Sequence, residues 1–544
     1  MSVRMRAALT GAVLALVIAP AAEAAKGKSE AAKTSKELRK EITSQRMFKH
    51  TQALQMIADE NGGNRASGFQ GYGASVQYVL TKLRDAGYNP TTQVFDFVTF
   101  EETSDPTLRE VSPTAKTYTQ DEFQTMSYSA SGDTDVATIT PVDLKLSSDP
   151  AQRVSTSGCE AADFTGFTAG HIALMQRGSC AFAQKATNAQ AAGAVGAIIF
   201  NSGTPGNEGV IAGTLGETAQ DGQPTPPDVT IPVVGISYAE GDRLANEADP
   251  TTGQIIVNAE SDQRRSTNVL ADTRSGDPDN VTIVGGHLDS VTEGPGINDN
   301  GSGIGFILEL ALQMARERVR PENRVRFAFW GAEESGLVGA TRYVAAISDE
   351  AFAQIAANLN FDMLASPNHG KFVYDGDFSH TAPPATAPNV NPGAAYIEDT
   401  FVDYFESVGI DPDPTAFDGR SDYKPFQDNG VAAGGLFSGA EVAKSVEQAA
   451  KWGGQAGVAF DPNYHQAGDT IDNLDLEGWE QMSDAGAHVL ATLAEDRNLR
   501  QTLAGGATAN ASTKSAKAKT RKAKRLSKAK RAKLGAYLGK RAVR

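Results

Sequence analysis

Short apolar runs alternate with longer amphipathic stretches over the second half of the chain. Four runs have the length and composition of buried strands: Val281–Gly285, Val325–Trp330, Ala357–Met363 and Ala432–Phe437. Helical periodicity, such as that over Gly303–Arg318, lies between them. This alternation predicts an α/β fold in which a mixed central sheet carries helices on both faces.

The first hundred residues continue the same pattern. Helical patterns over Ile42–Asn61 and Gly73–Ala86 precede Thr92–Phe100, a run rich in aromatic and β-branched residues. Asp96 interrupts strict alternation, but the composition and length of the run still predict a strand. We expect this strand to join the same sheet, so that residues 45–117 and 263–503 form one domain.

Between residues 118 and 262 the β-like runs become shorter, and turns rich in Gly, Pro and Ser separate them. The predicted strands include Val136–Ile139, His171–Gln176, Val195–Phe200 and Ile231–Ile236. One helical pattern covers Phe182–Ala192. These features predict a β-rich module that is inserted into the α/β domain.

Residues 1–24 have the features of a secretory signal. Arg4 and Arg6 precede an apolar stretch, Ala7–Ile18, which is too short to span a bilayer. Ala22-Glu23-Ala24 provides the small residues of a cleavage site, and a retained anchor is the alternative. No other run is long and apolar enough to cross a membrane, so we expect a secreted, extracellular protein without a membrane span.

Charge is distributed unevenly along the 544 residues. The net charge is -16, yet residues 511–544 contain fourteen Lys or Arg and no acid, and residues 51–510 carry -36. A body this acidic is a poor binder of nucleic acid, because binding phosphates requires clustered basic residues. A basic lead-in, 25–44, precedes the body, and a basic Lys/Ala-rich tail, 504–544, follows it. Three roles remain open for the tail: a solvated arm, contact with anionic envelope polymers, or removal during maturation.

The chain contains two cysteines, Cys159 and Cys180. In an exported protein, a pair this close in sequence predicts a disulfide. Closing this loop stabilises the fold by about 3 kcal/mol through the entropy of the unfolded chain. Two free buried thiols are the alternative.

Acidic and imidazole side chains follow several of the predicted strands. In open α/β sheets, ligand sites gather beyond the carboxyl ends of the strands, so we expect these side chains to converge. Five of them, two imidazoles and three carboxylates, are candidate ligands: His287, Asp299, Glu334, Asp362 and His465. Nitrogen and oxygen donors suit zinc. Five ligands are too many for one catalytic zinc ion, but they suit two ions if one carboxylate bridges them. Taken singly, a residue of each of these types is more often part of a turn, solvated at the surface or hydrogen-bonded in the interior than a metal ligand.

Two neighbouring acids extend this interpretation. Glu333 precedes Glu334, so one of the pair can bind metal while the other takes a proton from the attacking water. Asp289, two residues after His287, can accept the second ring N–H of that histidine and fix its tautomer.

These segments resemble the M28 family of zinc aminopeptidases. The resemblance is carried by Gly285-Gly286-His287-Leu288-Asp289-Ser290, Gly296-Ile297-Asn298-Asp299-Asn300-Gly301-Ser302-Gly303, Phe329-Trp330-Gly331-Ala332-Glu333-Glu334-Ser335-Gly336-Leu337, Asn360-Phe361-Asp362-Met363 and Tyr464-His465. It covers residues 45–100 and 263–500, approximately, and implies a zinc-exopeptidase-like fold and hydrolysis of peptides that have a free N-terminus.

The resemblance also implies a role for each residue. His287 and Asp362 would bind one zinc ion, Glu334 and His465 the other, and Asp299 would bridge them. Glu333 would be the general base, and Tyr464 would stabilise the oxyanion of the attacked carbonyl. The segments around Arg420 and Phe437 resemble those of the substrate pocket, which Met363, Arg420 and Phe437 would line. Phe437 can equally be a core residue.

The middle module resembles a protease-associated (PA) domain. The resemblance is carried by Cys159, Gly170-His171-Ile172-Ala173-Leu174, Arg177-Gly178-Ser179-Cys180-Ala181-Phe182, Lys185 and Ala191-Ala192-Gly193-Ala194. It implies a role in covering the active site or selecting substrate, and it places the disulfide within this module.

One departure from the family concerns the loop that carries His465. Secreted relatives often flank the Tyr-His element with a local disulfide, but Asn463 and Gly468 stand there and no spare cysteine exists. We therefore expect packing alone to hold this loop.

The sequence thus predicts a secreted two-zinc aminopeptidase. A carboxypeptidase of the same superfamily and a catalytically inactive binding protein that uses its PA domain are the alternatives. The preferred N-terminal side chain and the oligomeric state are not fixed by the sequence. Calcium binding is left open, and no pattern supports it.

Overall fold

The computed structural model describes residues 27, 29–204, 207–211, 213–218, 224–225, 228–384, 386–387 and 389–505. The predicted signal peptide and the basic tail beyond residue 505 lie outside these residues. Within the described part of the chain, no helix has both the length and the apolar character that crossing a membrane requires.

Helices and strands alternate through most of the chain. The helices are α1 (29–41), α2 (Ser44–Glu60), α3 (Gln70–Asp85), α4 (Phe182–Ala191), α5 (Tyr238–Ala245), α6 (Gly301–Arg316), α7 (Val338–Ala346), α8 (Asp349–Ala353), α9 (Pro392–Ser407), α10 (Lys424–Asp428), α11 (Val446–Trp452), α12 (Leu476–Ala494) and α13 (Leu499–Leu503). The strands are β1 (Thr91–Val98), β2 (Glu101–Ser112), β3 (Lys116–Thr117), β4 (Phe123–Thr125), β5 (Gly132–Asp133), β6 (Ala137–Pro141), β7 (Ile172–Gln176), β8 (Gly196–Phe200), β9 (Glu217–Thr218), β10 (Pro224–Thr225), β11 (Val233–Ile236), β12 (Thr252–Glu260), β13 (Gln263–Asp272), β14 (Asp277–His287), β15 (Asn323–Trp330), β16 (Ile355–Phe361), β17 (Phe372–Tyr374), β18 (Asp413–Thr415) and β19 (Ala432–Phe437).

Eight strands form the first sheet, in the order β1-β13-β15-β14-β16-β19-β17-β18. The four central strands β15, β14, β16 and β19 are parallel to one another, whereas β1, β13 and β17 are paired antiparallel at the sides. Helices cover both faces of these strands, and β16 is accordingly buried at every position, including Asn358 and Asn360.

Alternate residues of these strands enter two separate cores. Val284 and Phe327 pack with helices α2, α3, α6, α9 and α12 on one face, while Ile283 and Trp330 pack with α7 and α10 on the other. The predicted α/β class, a mixed sheet with helices on both faces, is confirmed. Helix α1 belongs to this unit, since Leu38 and Ile42 at its C-terminal end are completely buried in the first core.

The second unit contains a nine-stranded sheet. Eight strands follow the order β3-β2-β12-β6-β7-β8-β11-β4, and β5 pairs with β12. Its core lies between the sheet and the helices α4 and α5. The predicted disulfide Cys159–Cys180 is present in this unit.

The chain enters and leaves the second unit at neighbouring points. Strand β1 ends at Val98, whose antiparallel partner is Gln263, the first residue of β13. The Thr99 N–H donates to the Asp262 carbonyl over 2.9 Å and closes this junction. Strand β2 already lies in the second sheet, so the structure differs from the sequence prediction that kept residues up to 117 in the first unit. The upstream boundary predicted at 118 falls inside the second unit.

Candidate metal centre

The ends of three neighbouring strands carry the acidic and imidazole side chains singled out above. His287 is the last residue of β14, Asp362 directly follows β16, and Glu333 and Glu334 come shortly after β15. Because these strands are parallel, their carboxyl ends meet at one edge of the sheet. The loop before α6 adds Asp299 to this edge, and a loop after β19 adds His465.

Asp299 lies between the two imidazoles. The His287 Nε2 atom is 3.1 Å from Asp299 Oδ1 and 3.2 Å from Asp362 Oδ1. The His465 Nε2 atom is 3.3 Å from Asp299 Oδ2 and 3.1 Å from Glu334 Oε2. The two oxygens of a single carboxylate therefore face two different histidines, which is the arrangement that a bridging ligand requires.

The donor set fits divalent zinc. The ligand atoms of His287, Asp299 and Glu334 lie within 4.8 Å of one another, as do those of His287, Glu333 and Asp362. Glu334 Oε1 is buried without a hydrogen-bond partner within the described part of the chain. Imidazole nitrogens and carboxylate oxygens are the ligands of catalytic zinc sites, and an unsatisfied buried carboxylate oxygen is available to a cation.

The electric field at this site favours positive charge. Burial disfavours the His287 cation, yet Asp362 and Glu333 raise the pKa of His287 well above its usual value. Burial acts in the same way on His465, and Glu334 and Asp299 raise its pKa to about 11. The same negative potential that holds protons on imidazole attracts divalent cations.

Glu333 is almost fully buried beside this cluster. Burial raises the pKa of its carboxyl group well above the usual range, opposed by His287 and reinforced by Glu334. Its backbone N–H donates to Asp289 Oδ1 over 3.3 Å. A carboxyl group with a raised pKa, adjacent to a candidate metal ligand, has the properties of a proton acceptor.

Asp289 lies beside His287, but its nearer acceptor is its backbone carbonyl. The His287 Nδ1 atom is 3.2 Å from the Asp289 carbonyl oxygen and 3.7 Å from Asp289 Oδ1. The structure thus differs from the expectation that the carboxylate is the direct acceptor. An acceptor at Nδ1 leaves Nε2 free as the ligand atom.

Tyr464 and Arg420 are placed beside the same edge. The Tyr464 ring stacks on His465 with the ring centroids 3.8 Å apart. Arg420 donates from Nη2 to the Tyr464 hydroxyl over 3.1 Å and from Nη1 to Glu441 Oε1 over 2.7 Å. Because the Tyr464 oxygen accepts from Arg420, its own O–H remains available to a substrate.

A cavity of about 300 Å³ adjoins the metal centre. Asp299, Glu333, Glu334, Asp362, Tyr464 and His465 form one side of it, and Met363, Phe372, Tyr374, Arg420, Phe437 and Phe460 contribute to the rest. The three residues predicted to line a substrate pocket, Met363, Arg420 and Phe437, are therefore together in one cavity.

Hydrogen bonds, as well as packing, hold the loop that carries His465. Asp469 accepts the backbone N–H groups of Asn298 and Asp299 over 2.6 and 3.0 Å. Asp461 accepts from Asn298 Nδ2 over 2.6 Å and from the Asn463 N–H over 2.8 Å. The expectation that packing alone holds this loop is wrong, because the two buried acids connect it to the Asp299 loop.

Two further buried groups escaped the sequence analysis. The Ser421 hydroxyl donates to Asp362 Oδ2 over 2.6 Å, which orients that carboxylate. Asp422 is completely buried, and neither carboxylate oxygen has a hydrogen-bond partner within the described part of the chain. Both residues occur in the Gly419–Tyr423 segment around Arg420, so the resemblance of that segment to a substrate pocket is the signal that could have found them.

Arg65 holds the segment between His287 and Asp299 in place. Its completely buried guanidinium donates to the carbonyl oxygens of Leu288, Pro295 and Gly296. Those carbonyls belong to the segment that connects His287 and Asp299. One side chain therefore fixes the path of the chain between two candidate ligands.

Comparison with known proteins identifies both units. The model of peptidase family M28 matches residues 268–490, and the model of the PA domain matches residues 144–244.

Relatives cover most of the chain. An aminopeptidase of Pseudomonas aeruginosa strain UCBPP-PA14 is 45% identical over 449 residues, which are 82% of this chain and 80% of the relative. A probable lipoprotein aminopeptidase of Mycobacterium tuberculosis is 42% identical over 80% of this chain and 82% of its own. The solved aminopeptidase from Aneurinibacillus sp. strain AM-1 has a TM-score of 0.61 and 27% identity, and covers 84% of this chain and 95% of its own. The chain therefore belongs to peptidase family M28, as a metallo-aminopeptidase that contains a PA domain.

Proposed function

We propose that the protein is a secreted two-zinc aminopeptidase that removes N-terminal residues from peptides. The observation that carries the proposal is the position of Asp299, whose two oxygens face His287 and His465 at 3.1 and 3.3 Å. In this proposal His287 and Asp362 would hold one ion, Glu334 and His465 would hold the other, and Asp299 would be shared between them. When bound, paired zinc ions polarise a carbonyl group and lower the pKa of an attacking water.

The residues of the chain supply the proton transfer. Glu333 takes a proton from the attacking water and delivers it to the leaving amine, for which its buried, proton-accepting carboxyl group is suited. Tyr464 donates its O–H to the oxyanion that develops on the scissile carbonyl. Burial raises the pKa of Tyr464 well above its usual value, so the hydroxyl keeps its proton over the whole working range of pH.

The charges around the cavity support an aminopeptidase rather than a carboxypeptidase. A free α-amine is a cation, and Glu333 and Asp362 present carboxylates to it. A carboxypeptidase needs a cation that binds the terminal carboxylate. Arg420 is the one Lys or Arg among the described residues that line the cavity, and Glu441 already pairs with it over 2.7 Å.

The apolar part of the cavity supports a preference for large apolar N-terminal side chains. Met363, Phe372, Phe437 and Phe460 form this part, and a volume of about 300 Å³ accommodates a leucine or phenylalanine side chain. Phe372 lies at the centre of this group, with its ring centroid 5.1 Å from that of Phe460 and 6.2 Å from that of Phe437.

Secretion is part of the proposal. The disulfide Cys159–Cys180 is typical of an oxidising compartment, and a relative is described as a lipoprotein, hence exported. The basic N-terminal segment and the apolar stretch after it support the same route.

The test is a panel of aminoacyl-anilides with metal analysis on the same sample. We expect hydrolysis that is strongest for Leu or Phe, that a chelator abolishes, and that zinc restores, with two zinc ions per chain. Absence of hydrolysis over the whole panel with zinc present would overturn the proposal.

Glu333→Gln tests the assignment of the base. We expect zinc to be retained and turnover to fall by at least about 10²–10⁴-fold. Glu350→Gln, on the exposed first turn of α8, is the matched control and should behave as the wild type. Loss of zinc together with turnover would show that Glu333 is a ligand instead.

A further inference from the structure

A second and larger cavity separates the two units beside the metal centre. It has a volume of about 670 Å³. The second unit contributes Phe100, Glu101 and Tyr128, and the catalytic unit contributes Phe69, Glu293 and the segment after Glu334. We call this cavity the interdomain cleft, because neither unit forms it alone.

The interdomain cleft and the smaller cavity share one lining residue. Glu334 lines both of them. If the N-terminal side chain occupies the smaller cavity, the scissile bond lies at the metal ligands and the rest of the peptide must leave past Glu334. The larger cavity, which Glu334 also lines, is the space that can receive it.

We propose that the interdomain cleft binds the one or two substrate residues that follow the scissile bond, and that it favours basic side chains at those positions. This inference rests on the proposed aminopeptidase function and deepens it. It assigns the second unit a direct share in substrate selection.

Negative charge in the cleft supports the preference for basic substrate side chains. Glu101 and Glu293 are exposed, project from different units, and form no ion pair within the described part of the chain. Lys424 is the one Lys or Arg among the described lining residues, and Asp428 neutralises it over 2.6 Å. A basic substrate side chain therefore meets two uncompensated carboxylates.

A neighbouring arginine does not reverse this balance. Arg264 stacks behind Phe69, 4.0 Å from the ring centroid, and its guanidinium pairs with Asp262 over 3.2 Å. Arg264 therefore already has an anionic partner.

Aromatic side chains in the cleft suit the aliphatic stems of lysine and arginine. Phe100 and Tyr128 are neighbours with their ring centroids 5.9 Å apart, and Phe69 contributes from the catalytic unit. Such rings pack against the methylene groups of a basic side chain and attract its cationic head.

The experiment compares kcat/KM for Leu-Lys-Ala, Leu-Gln-Ala and Leu-Glu-Ala, with leucine anilide measured in parallel. We expect a preference for Lys over Glu of about tenfold at low salt, which decreases as ionic strength rises, because the carboxylates are exposed. Equal rates for the three peptides, with the anilide hydrolysed normally, would overturn this inference alone. Failure to hydrolyse the anilide would instead overturn the proposed function.

Variants at the two carboxylates sharpen the test. In Glu101→Gln with Glu293→Gln, the Lys-to-Glu ratio should fall to about two- to threefold, and Glu293→Lys should shift the ratio toward Leu-Glu-Ala. Glu350→Gln should keep the wild-type ratio. An unchanged ratio in both the double variant and Glu293→Lys, with circular dichroism showing a native fold, would place the preference elsewhere and refute the role of the cleft.

Discussion

The buried carboxylate of Asp469 offers a stringent test of how the metal centre is positioned. Its two oxygens accept the consecutive backbone N–H groups of Asn298 and Asp299, and the side chain is almost completely buried. Asp469→Asn keeps the size and shape of the side chain. It replaces one acceptor oxygen by an NH₂ group, which must then face a backbone N–H.

The magnitude follows from these two contacts. Burial raises the pKa of Asp469 to about 8, so the comparison is made at about pH 9, where the carboxyl group is charged. A hydrogen bond to a charged group contributes about 1.5–3 kcal/mol, and a buried N–H without an acceptor costs about 1–3 kcal/mol. Because one contact survives, we expect the variant to lose about 2–4 kcal/mol of unfolding free energy. Zinc affinity should fall by about 10–100-fold, as for other groups that orient metal ligands.

Two measurements separate stability from metal binding. Urea unfolding gives the free energy of unfolding, and competition with a chromophoric chelator gives the zinc affinity. Asp475→Asn is the control, since Asp475 caps α12 and pairs with His369, so it should lower stability and leave zinc affinity unchanged. Wild-type zinc affinity in Asp469→Asn would refute the argument that this carboxylate positions Asp299.

Three further changes test other parts of the fold. Arg65→Met leaves three buried carbonyl groups without their donor. Each such loss costs about 1–3 kcal/mol, so urea unfolding should show a loss of at least about 3 kcal/mol, and a variant as stable as the wild type would contradict the bracing role. Burial lowers the pKa of Lys185 to about 8, so the unfolded chain binds this proton more tightly than the folded protein does. The free energy of unfolding should therefore rise from pH 8 to 10.5, and this rise should exceed that of Lys185→Met by at most about 3 kcal/mol. Parallel pH profiles for the two proteins would contradict this linkage. The double change Cys159→Ser with Cys180→Ser opens a link between residues 21 positions apart and should cost about 3 kcal/mol, visible as a lower Tm; an unchanged Tm would show that the link does not stabilise the fold.

The parts of the fold that the sequence predicted well are those whose signal is local. The strands β14, β15 and β16 are covered on both faces, so each contains a short run dominated by apolar residues, and the observed bounds overlap the predicted ones. The candidate ligands follow these strands directly. Residue order alone therefore suffices to predict that His287 and Asp362 lie at one edge of the sheet.

Strand β2 shows what local patterns miss. Most of its residues are exposed or half-buried and it contains Pro106, so it lacks the alternation that marks a strand. Its long partner is β12, and the paired residues lie 140 to 159 positions apart in the chain. Apart from a short pairing with β3, that distant pairing makes the segment a strand, which is why the domain boundary predicted from the sequence lies too late.

Asp461 and Asp469 escaped prediction for a related reason. Each is a single acid in a loop without periodicity, and such residues are usually solvated. Their role depends on the meeting of the Asp299 and His465 loops, about 165 residues apart in the chain. Proximity in three dimensions, rather than residue type, makes them part of the site.

The junction between β1 and β13 bears on how such a protein can arise. Val98 and Gln263 are paired neighbours, so the two strands would form an ordinary hairpin if a short turn replaced the residues between them. A single genetic insertion at that turn could therefore add the whole second unit without changing the register of the first sheet. The ancestral peptidase would have kept its metal ligands. The inserted unit would have added one wall of the interdomain cleft, where selection for different substrates could act.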